Sequence, residues 1–128
     1  MSAGLNEIPI EFIPGLWVSQ EEGIRGRGSG FLLAENIKSV VAVDTKVPNS
    51  KDATRNWNIL NVTQKELTRE SYLGALIRII TESWLETNSV MILGSPWSIQ
   101  RILVRFLQKT GGMAEEVAAH VVSTKIGG

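Results

Sequence analysis

The residues best placed for chemistry lie in Val90-Met91-Ile92-Leu93-Gly94-Ser95-Pro96-Trp97-Ser98-Ile99-Gln100-Arg101. An apolar run here leads through a short polar loop into a segment with helical apolar spacing. A buried strand that delivers a loop to a helix start presents backbone N–H groups and the positive end of the helix dipole, which suits an anion. Arg101, one turn into that helix, can fold back and clamp a phosphate with paired N–H bonds. Its plainer use is as a surface or loop-capping arginine. Ser95 is a poor nucleophile unless a base activates it, and the single histidine, His120, falls in a different helix. Pro96 has no N–H to give to an anion cradle, Trp97 is large enough to cover a pocket, and Ser98 is strained wherever the loop demands a positive φ.

Composition removes several other chemistries. The chain has no cysteine, so disulfides, thiolate metal sites and thiol nucleophiles are absent. One histidine rules out a histidine-rich metal site; no metal or other cofactor is expected. Thirteen basic and thirteen acidic residues cancel, which disfavours nucleic acid as a bulk electrostatic partner. No apolar run reaches the ~20 residues of a membrane helix, and the N-terminus lacks a basic region followed by an apolar core. A cytoplasmic or nuclear location is the expectation. Gly26-Arg27-Gly28-Ser29-Gly30 lacks the preceding strand of a nucleotide loop and reads as a surface loop. His120 reads as a surface or partly packed residue. Of the four tryptophans, Trp17, Trp57 and Trp84 read as core and Trp97 as a plug or contact residue.

The elements that must position the loop follow from periodicity. Residues 8–19 read as extended, since Pro9 and Pro14 disfavour helix and Leu16-Trp17-Val18 is strand-like. A glycine-rich loop over 23–30 leads to a short helix near Phe31 to Ile37. Ser39 to Asp44 and Trp57 to Val62 read as strands buried on both faces. Thr63 and Glu66 have capping-box spacing before a long helix with Leu73, Leu76, Ile77, Ile80 and Trp84 on one stripe. Asn88 is its stop. After the strand Ser89 to Leu93 comes a helix with the stripe Ile99, Ile102, Leu103, Phe106 and Leu107, ended by Gly111-Gly112. A last helix runs from about Met113 to about Thr124 with Val117, Val121 and Val122 inward. Residues 1–128 read as one α/β domain with a central, mainly parallel sheet flanked by helices.

The strand–loop–helix resembles the phosphate-binding loop of the dual-specificity protein phosphatases, whose signature is His-Cys, two residues, Gly, two residues, Arg. Ile13-Pro14-Gly15-Leu16-Trp17-Val18-Ser19, Asn36-Ile37-Lys38-Ser39-Val40-Val41-Ala42-Val43 and Gly112-Met113-Ala114-Glu115-Glu116-Val117-Ala118 resemble further family segments in matching order. The resemblance implies that fold. It also exposes departures: Gly94 stands for the His, Ser95 for the nucleophilic Cys and Ser98 for the Gly, while Arg101 remains. The family's general acid falls at about Gln64, and an amide cannot protonate a leaving group; Glu66 is a nearby stand-in. The implied function is a catalytically inactive phosphatase-like domain, with no catalytic residue, acting as a protein-interaction module, complex subunit or homo-oligomer. The alternative is a reader that holds a phosphorylated residue in the Ser95 to Arg101 loop without hydrolysis. The family's domain usually continues past the last matching helix, so an uncovered apolar patch is expected at Val121, Val122 and Ile126 with Phe106, as a partner interface.

Overall fold

The structure, a computed structural model, describes residues 10–20, 37–45 and 58–126. The glycine-rich stretch, most of the short helix expected before Ile37, the loop after Thr45 and Trp57 lie outside the described residues. Strands β1 (Ile10–Ile13) and β2 (Leu16–Ser19) form a hairpin, where the sequence suggested one extended stretch. Gly15 makes the turn at φ 87°, a left-handed conformation that glycine adopts without a Cβ penalty. Then come β3 (Ser39–Val43), β4 (Asn58–Val62), a 3-10 turn (Glu66–Thr68), α1 (Glu70–Thr87), β5 (Val90–Leu93), α2 (Pro96–Gly111) and α3 (Glu115–Ile126).

The five strands form one mixed sheet in the order β1-β2-β5-β3-β4. Only β1–β2 is antiparallel, while β2–β5, β5–β3 and β3–β4 are parallel. This is the mainly parallel α/β sheet that the periodicity predicts. Strand β5 lies at the centre with every residue buried, which is why its sequence is uninterrupted Val-Met-Ile-Leu. β4 corrects the sequence reading. As the last strand of the sheet it leaves Asn58, Ile59 and Asn61 exposed, and only Val62 is fully buried.

Side chains alternate across the sheet. Phe12, Leu16, Val18, Val41, Val43, Val90 and Ile92 face one core shared with all three helices. Into it α1 sends Leu73, Leu76, Ile77 and Ile80, and α2 sends Ile99, Ile102, Leu103 and Phe106. Trp84 packs edge-on against Phe106 with centroids 5.8 Å apart, and its indole N–H donates to the Pro14 carbonyl at 2.8 Å.

The local stops act as predicted. Asn88 ends α1 in the left-handed region at φ 52°, donating its N–H to the Trp84 carbonyl at 2.7 Å, and Gly112 ends α2 at φ 66°. The capping box forms too: Thr63 N–H donates to Glu66 Oε1 at 3.0 Å, and Glu66 N–H donates back to Thr63 Oγ1 at 3.2 Å. It lies at the approach to the 3-10 turn, whose N-cap is Lys65, and not at the long helix, which begins at Glu70.

Helix α3 brings the clearest correction. Its inward residues are Ala118, Val122 and Ile126, spaced four apart, while Val117 is 53% exposed and Val121 is half-buried. Phe106, Val122 and Ile126 are buried inside the chain and do not form the open patch that the sequence reading placed there. α3 closes over α2 and β1. Lys125 Nζ donates to the Phe12 carbonyl at 2.9 Å and lies 5.3 Å from the centroid of the Phe12 ring.

Candidate functional site

At the carboxyl end of β5 the chain passes through Gly94 and Ser95 alone before α2 begins at Pro96. Ser95 is the N-cap, extended at φ −70° and ψ 161°. Its Oγ accepts the Ser98 N–H at 3.3 Å, and its carbonyl accepts the Ile99 N–H at 3.0 Å. Pro96 takes the first helical position, where a missing N–H costs nothing. The short polar loop of the sequence pattern, Gly94 to Ser98, is therefore mostly first-turn helix. Ser98 is fully buried, and Asp44 and Asn88 are the non-glycine residues at positive φ among the described residues. The strain expected at Ser98 is absent because its backbone is helical.

Gln64 comes to this end of the sheet from the segment after β4. Its Nε2 donates to Ser95 Oγ at 2.9 Å, and Ser95 Oγ and Ser98 Oγ are 3.0 Å apart. These partners of the Ser95 hydroxyl are an amide, a backbone N–H and another hydroxyl, none of them a general base. Asp44, at the carboxyl end of β3, accepts the Gln64 N–H through Oδ2 at 2.8 Å. Sequence reasoning passed over Asp44, although an acidic residue directly after a buried β-branched run is the signal that marks it. With Gln20, Thr45, Gln64, Gly94 and Ser95 it lines a concavity of about 250 Å³. Among the described residues no cationic side chain lines that concavity. A carboxylate there opposes an anion.

Gly94 stands at the histidine position of the family signature. A Cβ on it would lie 3.1 Å from Val43 Cβ and 3.4 Å from Ser98 Cβ. A side chain there would require β3 or α2 to give by a few tenths of an ångström.

Arg101 does not turn toward Ser95. Its Nε–H donates to the Leu67 carbonyl, and Nη2 is 3.6 Å from Glu70 Oε1. Arg105, one turn on, reaches Glu70 more closely, at 2.7 Å to Oε1 and 2.6 Å to Oε2. The Arg101 guanidinium carbon stands 5.8 Å from the Trp97 ring centroid. Trp97, Arg101 and Arg105 thus line a second cleft, of about 270 Å³, between α2 and its neighbours. The sequence reading set Trp97 over the Ser95 loop. Trp97 is 46% exposed and lines this second cleft and the hollow beside Gln64, Lys65 and Thr68, not the Ser95 concavity. A residue two past the N-cap points away from the strand end once the helix has begun there. Glu66, the stand-in acid, is occupied by the capping box with Thr63, and His120 is exposed on α3.

Tyr72 lies outside the linings of both hollows. Burial and, second, the nearby Glu66 carboxylate raise the Tyr72 hydroxyl above its ordinary value.

No family model matches the chain and no curated protein matches it. Solved structures do. Tk-PTP in its active form superposes with a TM-score of 0.71 at 20% identity, covering 91% of this chain and 83% of that one. Human DUSP28 gives 0.71 at 11% identity, covering 97% and 84%. Human tyrosine phosphatase-like serine/threonine/tyrosine-interacting protein gives 0.73 at 15% identity, covering 94% and 84%. The five-stranded mixed sheet, the three helices and the strand-to-helix passage at Ser95 are thus those of a known architecture: the chain has the fold of the dual-specificity phosphatases.

Proposed function

We propose that the chain is a catalytically inactive phosphatase-like domain that works by binding a protein partner. The observation that carries this reading is the start of α2. Phosphoryl transfer by a thiolate needs a nucleophile in a ring of free N–H groups, an arginine beside it and a proton donor. Here the hydroxyl at the nucleophile position is a helix cap, and the N–H groups of Ser98 and Ile99 are spent on that cap. The arginine is tied to Leu67 and Glu70, and Gln64 stands where the acid would be. The name of one similar structure, phosphatase-like and interacting, is in keeping with the reading. A phospho-reader at Ser95 has less support, because Asp44 borders that concavity and Arg101 does not.

The test is hydrolysis of a phosphotyrosine mimic by the purified chain and by the Ser95→Cys variant. Neither should exceed buffer by a useful margin, since a thiol restored without a general acid still lacks a factor of roughly 10²–10⁴. Turnover that disappears in Ser95→Ala would overturn the proposal. So would rates for Ser95→Cys near those of an active phosphatase. Affinity capture with identification of the bound protein tests the second half: recovery of no specific partner would count against it.

A further inference from the structure

The interaction reading leaves open where a partner sits, and the second cleft bears on that. Trp97, Arg101 and Arg105 are spaced four apart and rise along one side of α2. Trp97 is 46% exposed, a large apolar area to leave in water. The Arg101 and Arg105 side chains are about 31% and 24% exposed, and both reach toward the one carboxylate of Glu70. Glu70 itself is 64% exposed, so the ion pair is solvated and worth little. Gln108 lines the same cleft, and its Oε1 is the one buried side-chain oxygen or nitrogen without a hydrogen-bond partner among the described residues. A buried acceptor with no donor calls for an explanation. Glu115 stands on the rim as a second acid, and Lys65 lies on the other side of Trp97.

We propose that this cleft docks an acidic segment of the partner protein, an inference that rests on the interaction-module reading. Glu70 is the template: the arginine pair already holds a carboxylate in this geometry, and an incoming Asp or Glu replaces it. Apolar residues of the segment cover Trp97. A carboxylate anchored by neighbouring contacts on Trp97 displaces a solvated intrachain one at small cost, because an exposed pair contributes little.

Fluorescence polarisation tests this with the full chain at low salt and a short labelled peptide alternating Glu with Leu. Two further arms use peptides with Lys, or with phosphoserine, in place of Glu. The Glu peptide should bind, more weakly as salt rises, and the Lys peptide should not. Arg105→Gln and Trp97→Ala should each weaken binding by about tenfold. Glu70→Gln should strengthen it several-fold by removing the intrachain competitor, a gain that a misfolded variant cannot give. No binding of the Glu peptide overturns the proposal. So does equal binding of the Lys peptide, binding of the phosphoserine peptide alone, indifference to Arg105→Gln in folded protein, or weaker binding by Glu70→Gln. Hydrolysis of a phosphotyrosine mimic, measured on the same samples, separates the two readings: turnover sinks the inactive-domain proposal, whereas peptide results alone decide the docking site.

Discussion

The two ends of β5 are built on different principles. At its entry, backbone fits backbone. Asn88 and Gly15 both hold left-handed conformations, Val90 N–H donates to the Gly15 carbonyl at 2.8 Å, and Glu11 accepts the Gly15 N–H at 3.0 Å. A Cβ on Gly15 would meet Asn88 Oδ1 at 2.2 Å. At its exit, side chains hold one another: Ser95 caps the helix, Gln64 donates to Ser95, and Asp44 holds Gln64. The N–H groups of Ser98 and Ile99 at this end belong to the first turn of a regular helix. The contrast teaches that one strand can be anchored by a close backbone fit at one end and by a chain of ordinary capping side chains at the other.

The largest effect should come from the entry. Gly15→Ala combines a positive φ with contacts far inside van der Waals distance of Asn88. It should lower stability by about 2–4 kcal/mol in urea denaturation. A loss below ~1 kcal/mol would show that the hairpin turn yields freely and would erase the contrast between the ends.

Next comes Gly94→His, which restores one residue of the family signature at the exit. The Cβ meets Val43 and Ser98 at distances that require the neighbours to give, and the imidazole must then find room in a buried position. A loss of roughly 1–3 kcal/mol is expected. A neutral result would mean the exit has kept room for the family's residue, and it would weaken the argument that the site has closed.

Much of this was legible in the sequence because the deciding signals are local. The stripes of α1 and α2, the stop at Asn88, the Thr63–Glu66 box and the run of β3 each depend on neighbours within a few residues. The misses depend on partners far along the chain. Nothing in Asn58 to Val62 says that β4 is an edge strand, since that is fixed by sheet order. The inward face of α3 went astray because Val117 is more apolar than Ala118, yet close packing on α2 favours the smaller residue. The start of α2 is a different case. Ser95-Pro96 is itself a cap-and-first-turn signal, and the family pattern, which wants a loop there, outweighed it. Arg101 meets the plainer of its two readings, a loop-capping arginine: its Nε–H donates to the Leu67 carbonyl, because a residue at position 101 faces the side of α2 that bears Trp97, not the strand end.

The smallest effect is also the most discriminating, because it separates two uses of one hydroxyl. If Ser95 is a cap, what matters is an acceptor oxygen at this position, and any short side chain that supplies one will serve. Ser95→Ala removes the acceptor for the Ser98 N–H and the Gln64 amide and should cost about 1 kcal/mol. Ser95→Asn keeps an oxygen within reach of the same donors, adds no charge beside Asp44, and should stay within about 0.5 kcal/mol of the parent chain, since Asn and Ser rank together as N-caps. A nucleophile would behave otherwise: Asn cannot attack phosphorus, so any turnover would vanish in both variants while their stabilities were free to agree. Urea midpoints for the three proteins, beside a hydrolysis assay, put the two uses apart. Equal stability of Ala and Asn would remove the cap from the account of this site, and loss of a real activity in both would return the site to chemistry.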